Sequence, residues 1–187
     1  MPRRLLFTCL MLALAPVAAR ADAADDCNRF DKPALQVKGC TRFIKSGSLD
    51  SEQLSMAYTN RGVANAALGK LEKAVGDFTE AVRLNPGNAL AIYNRGNVHF
   101  DRGDMRKAIT DFDLAIARDP EFPLAYFNRG IAHENLGERE PSIADYRKAL
   151  ELAPELKPAR DRLEKLGVPP VPPVEATKPV AKPGTGA

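Results

Sequence analysis

Apolar residues recur along the chain at the three- and four-residue intervals of amphipathic helices. A first helix is predicted within residues 55–68 and a second from about Leu71 to Leu84. The apolar residues of the first are Ala57, Tyr58, Ala64 and Leu68, and those of the second are Ala74, Val75, Phe78, Ala81 and Val82. Gly69 is expected to end the first helix, because glycine adopts a left-handed conformation at low cost. Pro86 is expected to end the second, because proline cannot continue a helix.

This pair of helices recurs twice more at a fixed interval of 34 residues, without gaps. The three units span residues 55–88, 89–122 and 123–156. Eight positions are identical in all three units: Ala57/Ala91/Ala125, Asn60/Asn94/Asn128, Arg61/Arg95/Arg129, Gly62/Gly96/Gly130, Gly69/Gly103/Gly137, Asp77/Asp111/Asp145, Ala81/Ala115/Ala149 and Pro86/Pro120/Pro154. A fixed period of this length is typical of stacked helical solenoids.

One identical position places glycine inside the first helix of each unit, at Gly62, Gly96 and Gly130. Glycine there costs about 1 kcal/mol relative to alanine, so three in register indicate a packing requirement. We expect the missing side chain to let the second helix approach closely. An aromatic position in the second helix is expected to fill the space between the helices; it is occupied by Phe78, Phe112 and Tyr146.

These features resemble the tetratricopeptide repeat (TPR) family, whose units of about 34 residues are helical hairpins with small and aromatic residues at fixed positions. The resemblance implies an all-α fold: a right-handed α-solenoid of three TPR helix-turn-helix units with capping helices at both ends. Three positions depart from the family, of which position 4 is Tyr58, Ile92 and Tyr126 in place of Trp. Position 7 of the unit, usually Leu, is Arg in all three units, and position 11, usually Tyr, is Asn65, His99 and His133.

The segments outside the three units are assigned to caps and termini. Residues 24–54 form a degenerate half repeat that caps the N-terminal end, and residues 157–167 form a C-terminal capping helix that Gly167 closes. Caps are expected because an open solenoid end exposes its apolar face. Residues 168–187 are rich in proline and are expected to form a disordered tail, or alternatively a tether or a ligand for another domain.

Residues 1–23 have the pattern of a secretory signal peptide: a basic start, an apolar stretch and small-residue cleavage motifs. We predict cleavage after Ala23 and a periplasmic or secreted location; the alternative is an uncleaved anchor. Cleavage removes three arginines and one aspartate, so the formal net charge falls from +3 to +1. A nearly neutral mature chain predicts no nucleic-acid partner, and no membrane span is predicted in it.

Cys27 and Cys40 are the two cysteines that remain after the predicted cleavage. An exported protein can hold them as a disulfide, which for a loop of about 15 residues stabilises by roughly 3 kcal/mol. The alternative is a free, buried Cys40 on a helix face.

The three arginines at position 7 occur together with three aspartates, Asp77, Asp111 and Asp145. One hypothesis is that each Arg pairs with an Asp of its own or the next unit and ties neighbouring helices together. The alternative is that the arginines point into the groove and hold an acidic ligand.

No catalytic motif, metal site or cofactor is predicted. The two histidines, His99 and His133, occupy equivalent positions of neighbouring units, and zinc requires three or four ligands. They are expected to pack between helices; a metal-binding or enzyme accessory role is the remote alternative.

The TPR resemblance implies that the first helices line a concave groove that binds a protein or peptide segment. The candidate groove residues are Thr59, Asn60, Val63, Leu90, Tyr93, Asn94, Asn97, Phe100, Leu124, Phe127, Asn128 and Ile131. Aromatic residues among them are expected to anchor apolar side chains, and the asparagines to bond a peptide backbone. The carboxylate clamp of one TPR subclass is not predicted, because Thr59, Val63 and Leu124 stand where Lys and Asn are expected.

The sequence therefore predicts a non-enzymatic, exported interaction scaffold. An alternative is an assembly module of an envelope complex that acts through its convex face and tail. The identity of the partner stays open, as does self-association.

Overall fold

The computed structural model describes residues 17–47 and 49–169, with side chains from residue 21 onward. Most of the predicted signal sequence and the tail from residue 170 lie outside the described residues. The helices are α1 (Val17–Cys27), α2 (Pro33–Lys45), α3 (Ser51–Ala67), α4 (Leu71–Leu84), α5 (Ala89–Asp101), α6 (Met105–Arg118), α7 (Pro123–Asn135), α8 (Arg139–Leu152) and α9 (Lys157–Lys165). All regular secondary structure in this part of the chain is helical, so the predicted all-α solenoid is confirmed.

The three units are the helical hairpins α3–α4, α5–α6 and α7–α8, each packed on the next. Each first helix ends at a glycine with positive φ, at Gly69, Gly103 and Gly137. This conformation strains other residues, which explains why the same position is glycine in every unit. The second helix ends before Asn85-Pro86 in the first unit, before Asp119-Pro120 in the second and before Ala153-Pro154 in the third.

Within each unit the two helices meet where glycine faces an aromatic ring. A Cβ atom added to Gly62 would lie 2.6 Å from the Phe78 ring, and one added to Gly96 would lie 2.8 Å from the Phe112 ring. Both rings are fully buried. The predicted close approach is therefore present, and the aromatic ring occupies the space that the glycine leaves.

An arginine–aspartate pair joins the two helices of every unit. The Arg61 guanidinium lies 2.6 Å from the Asp77 carboxylate, and the same distance separates Arg95 from Asp111. The third pair, between Arg129 and Asp145, also has a 2.6 Å separation. The predicted pairing is confirmed, and each pair lies within one unit.

Each of these arginines also contacts the second helix of the preceding hairpin. Arg61 donates to the hydroxyl of Thr41 in α2, and Arg95 donates to that of Thr79 in α4, both at 3.3 Å. Arg129 instead donates to the Asp113 carboxylate in α6 at 2.5 Å. One side chain thus connects two successive hairpins.

The helices α1 and α2 form a hairpin that covers the N-terminal end of the first unit. The Sγ atoms of Cys27 and Cys40 lie 2.08 Å apart, which is bonding distance. The helices cross so closely that a Cβ atom on Gly39 would lie 2.4 Å from Asp26. The predicted cleavage site after Ala23 falls within α1, and cleavage there would leave the last turn of this helix with Cys27.

Helix α9 covers the C-terminal end, where Ala159 and Leu163 are fully buried against α8. Arg162 donates to the Glu134 carboxylate of α7 at 3.2 Å, so α9 also contacts the first helix of the third unit. None of the described helices is long and apolar enough to cross a membrane.

Candidate peptide-binding surface

Three large apolar side chains are exposed at the same position, the second, of each unit. Met56 is 57% exposed, Leu90 is 53% exposed and Leu124 is 42% exposed. They lie 34 residues apart on the first helices α3, α5 and α7. We call these three residues the apolar row. Exposure of an apolar side chain at one repeated position makes the apolar row a candidate contact surface.

A cleft of about 230 Å³ lies between α5 and α7. It is lined by Asn97, Phe100, Asp101, Asn128 and Ile131. The Asn128 side-chain amide donates to Asn97 Oδ1 at 2.8 Å and to the Tyr93 hydroxyl at 2.9 Å. The structure thus brings four of the candidate groove residues together beside the carboxylate of Asp101.

Tyr93 and Phe127 are less available as anchors than the sequence suggested. The Tyr93 ring packs against Phe122 at 4.7 Å and against Phe112 at 5.8 Å between ring centroids. Burial raises the pKa of Tyr93. Phe127 packs on Tyr146 at 5.8 Å. Phe100, which lines the cleft, is the predicted aromatic anchor that borders open space.

The first unit contributes less to the open surface than the other two. Thr59 is only 4% exposed, and its hydroxyl donates to Ser55 O and accepts from the Asn88 amide. A side chain bonded in this way does not line a groove, so Thr59 is a structural residue. Val63 is half-buried and packs on the core cluster around Phe78.

The asparagines at position 6 do not form the uniform ladder that their repetition suggested. Asn60 donates to Asn28 at 3.0 Å, which ties α3 to the end of α1. Asn128 bonds across to the second unit at the cleft. Asn94 has no hydrogen-bond partner among the described residues, so its amide is the one of the three that remains open for a ligand.

The two carboxylates near the groove differ in their partners. Glu134 accepts a hydrogen bond from the Tyr146 hydroxyl at 2.6 Å and another from Arg162. Burial and the bond to Glu134 raise the pKa of Tyr146. Asp101 is exposed and has no ion-pair partner in the described part of the chain. The cleft therefore carries one negative charge that no cation of the described residues neutralises.

Both histidines lie beside the Arg–Asp pairs, with His99 Nε2 3.8 Å from the Asp111 carboxylate and His133 Nε2 4.0 Å from that of Asp145. His133 Nδ1 lies 2.6 Å from the Glu138 carboxylate. His99 Nδ1 is buried without a hydrogen-bond partner, and burial lowers the pKa of His99. Within residues 17–47 and 49–169, no three His, Cys, Asp or Glu side chains converge as a metal site would require.

Two contacts beside this surface escaped the sequence reasoning because each joins helices of different hairpins. Asn88 caps α5 through Ala91 N and also donates to Ser55 and Thr59 of the first unit. Its position before a helix predicts the cap, but no local pattern predicts the second contact. No sequence pattern indicated a role for Asn28 either, although it accepts a hydrogen bond from Asn60 and lies outside the repeats.

The geometry defines a class of protein, a solenoid of helical hairpins with its first helices along one binding surface. Family models agree: the model described as "Tetratricopeptide repeat" matches residues 55–88 and 123–156, and "TPR repeat" matches residues 96–137. Together they cover about half of the chain. The chain belongs to the tetratricopeptide repeat family. No curated protein matches its sequence at a significant level.

Solved structures of TPR proteins share the fold. The TPR domain of Arabidopsis OM64 is 32% identical, with a TM-score of 0.59, covering 62% of this chain and 98% of that one. The first TPR of Spaghetti (RPAP3), bound to the HSP90 peptide SRMEEVD, is 27% identical with a TM-score of 0.61, covering 65% and 96%. MamA from Desulfovibrio magneticus RS-1 is 23% identical with a TM-score of 0.70, covering 83% and 86%, which shows the fold alone.

Proposed function

We propose that this protein is a non-catalytic scaffold that binds an extended segment of a protein partner along its first helices. The observation that carries the proposal is the apolar row, whose three side chains are exposed at one repeated position. Burying such side chains contributes about 25 cal/mol per Å². The cleft between α5 and α7 lies on the same helices and supplies hydrogen-bonding groups beside an aromatic ring.

The TPR relatives support a peptide as the ligand. The RPAP3 repeat was solved with an acidic HSP90 peptide. In this chain the corresponding surface has Leu124 exposed and Thr59 buried, and its cleft carries the carboxylate of Asp101. A ligand rich in carboxylates would meet that charge without a clamp of basic side chains. We therefore expect an apolar, uncharged or basic segment.

We further propose that the protein acts outside the cytoplasm. The support is the signal-like N-terminus together with the bonding distance between Cys27 and Cys40, because disulfides persist in oxidising compartments. Residues 1–30 fused to a reporter that is active only after export test this. An inactive reporter, or a mature N-terminus upstream of Ala23, would contradict the predicted export and cleavage.

The binding proposal is tested with a triple variant of the apolar row, M56S/L90S/L124S. Peptides are first selected from a displayed random library on the wild-type protein, and their affinities are then measured by calorimetry. We expect the triple variant to lose at least tenfold in affinity, since three exposed apolar contacts are removed at about 1 kcal/mol or more each. Its thermal unfolding should stay close to that of the wild type, because exposed positions tolerate substitution.

The control is F30S/L68S, which removes two exposed apolar side chains that do not belong to the row. It should leave peptide affinity unchanged. Equal losses in both variants would contradict a specific surface. If deletion of residues 170–187 abolished partner binding while the row variant kept it, the alternative role as an assembly module would replace this proposal.

A further inference from the structure

The cleft between α5 and α7 has the chemistry of a subsite for a basic side chain. The Phe100 ring and Ile131 form apolar walls, and the Asp101 carboxylate lies beside them. A lysine fits this combination, because its aliphatic stem packs on apolar surface while its ammonium group reaches a carboxylate. The Asn97 and Asn128 amides fix the floor through their mutual hydrogen bond at 2.8 Å.

We propose that the proline-rich tail of this same chain, residues 170–187, occupies the concave surface and places a lysine in this cleft. The proposal rests on the proposed function, since it names the segment that competes with a partner for the same surface. It makes the tail an intramolecular ligand that a partner must displace.

The composition of the tail fits the surface. It carries Lys178 and Lys182 against a single acidic residue, Glu175. Its other residues are mainly Pro, Val and Ala, which offer small apolar groups to the row. Proline also lowers the entropy lost when a segment becomes ordered on binding. The tail is thus the basic and apolar segment that the cleft and the row favour.

The point where the tail leaves the solenoid is close to the cleft. Val168 packs on the same apolar cluster as Phe127 and Ile131, and Ile131 lines the cleft. Arg162 of α9 reaches Glu134 of α7, so α9 and α7 are neighbours. Packed helices are about 8–10 Å apart, whereas the ten residues from Val168 to Lys178 span up to about 31 Å when extended. Both lysines are therefore within reach.

Attachment to the same chain makes weak binding sufficient. A short tether gives an effective concentration of the order of millimolar, so a tail with millimolar affinity occupies the surface to a large extent. An external peptide of similar chemistry must then compete, which sets a threshold for partner binding.

The proposal is tested by nuclear magnetic resonance on three forms of the protein. They are the intact chain, the variant K178Q/K182Q, and a form that ends at Pro169, which retains all the described helices and is checked by circular dichroism. The side-chain amide resonances of Asn97 and Asn128 report on the cleft. We expect them to differ between the intact and shortened forms, and to move toward the shortened form in K178Q/K182Q.

Two further variants test the cleft that is proposed to hold the lysine. In the intact chain, D101N should shift the amide resonances of Asn97 and Asn128 toward those of the shortened form. Deleting the tail from this variant should then change these resonances less than it does in the wild type. E140Q, which removes an exposed carboxylate on α8, is the matched control and should leave the effect of the deletion unchanged. Added peptide 170–187 should restore the docked resonances of the shortened form at millimolar concentration.

A functional readout separates this inference from the proposed function. The shortened form should bind a library-selected peptide about twofold more tightly than the intact chain does, because a tail of millimolar affinity at a millimolar effective concentration occupies the surface about half of the time. Identical amide resonances in intact and shortened forms would overturn tail docking, and so would resonances that change with protein dilution, which indicate the tail of a second copy. The proposed function fails separately, if the apolar-row variant keeps its affinity for the selected peptide.

Discussion

The contact between the two helices of each unit and the surface of the first helices follow opposite rules. In the contact, which we call the seam, the glycine, the aspartate and the arginine are identical in all three units. Their geometry is also the same, with Arg–Asp separations of 2.6 Å in every unit. On the first-helix surface outside the apolar row, positions that are equivalent in sequence differ in residue type or in hydrogen-bond partner from one unit to the next.

The asparagines at position 6 show that a residue can be the same in all three units without belonging to the seam. Asn60, Asn94 and Asn128 are identical, yet Asn60 bonds Asn28, Asn128 bonds Tyr93 and Asn97, and Asn94 has no hydrogen-bond partner among the described residues. Repeated surroundings are needed for a repeated role, and the surroundings of the first-helix surface are not repeated. Substitutions in the seam should therefore change stability, and those on the surface should change binding.

The largest effect is expected from the two aspartates that share Arg129. Asp145 is 7% exposed in its side chain, whereas Asp113 is 55% exposed. The hydrogen bond to Asp145 raises the pKa of Arg129 and outweighs burial, which lowers it. Asp145→Ala leaves a partly buried guanidinium without its main partner, so we expect a loss of about 3 kcal/mol in the free energy of unfolding. Urea unfolding measures it.

Asp113→Ala is the matched control, because it removes the exposed partner of the same arginine. Exposed ion pairs contribute about 1 kcal/mol or less, so this variant should stay close to the wild type. Equal losses of stability for the two variants would show that the burial of the aspartate does not determine how much its ion pair stabilises the fold. The comparison between seam and surface would then not hold.

A smaller effect is expected from two glycines inside helices. A Cβ atom at Gly96 would lie 2.8 Å from Phe112 and 3.2 Å from Asp111, whereas nothing lies within 4 Å of one at Gly76 in α4. Overpacking costs about 1–3 kcal/mol, and alanine regains about 1 kcal/mol of helix propensity. Gly96→Ala should therefore destabilise by up to about 2 kcal/mol, and Gly76→Ala should stabilise by up to about 1 kcal/mol.

Thermal and urea unfolding of the two alanine variants measure the difference in sign. A stabilised Gly96→Ala variant would show that the Phe112 ring moves aside without cost. In that case the glycine position is not explained by close packing.

The seam could be predicted from the sequence because it recurs. A period of 34 residues aligns Gly62 with Phe78 three times over, and the joint occurrence of Arg61 and Asp77 indicates an ion pair. Local signals also located the helix ends, where Gly69 has the expected positive φ. These features depend on short segments whose relation is the same in every unit.

The candidate site was predicted less completely, because its geometry depends on contacts between units. Thr59 was assigned to the groove by its position, but Asn88, which ends the first unit and caps α5, holds its hydroxyl in the interior. Tyr93 was expected to be an anchor, but Phe122 packs on its ring from the end of the same unit, at a position that is not repeated in the other two units. Periodicity gives the face of a helix on which a residue lies, and it does not give what the neighbouring unit places above it.

The smallest expected effect is a dependence on pH at position 11, where the seam itself varies. In the first unit Asn65 donates to Asp77 at 2.8 Å. In the second unit His99 Nε2 lies 3.8 Å from the Asp111 carboxylate, and its Nδ1 is buried without a partner. Asp111 and Asp104 favour the charged imidazole and Lys107 and Arg95 oppose it, but burial has the largest effect and lowers the pKa of His99.

A lowered pKa fixes the sign of the effect. The folded protein prefers the neutral imidazole, so the stability that this preference contributes is present above the unfolded pKa of about 6.5. It is lost as the pH falls from there through the lower pKa of the folded state. His99→Asn supplies the amide of the first unit and removes the titrating group. We expect urea unfolding at pH 7.5 and pH 5 to show a smaller decline in stability for this variant than for the wild type. His133→Asn, the equivalent change where the imidazole contacts Glu138, should leave the His99 contribution in place, and an unchanged decline in His99→Asn would contradict the assignment.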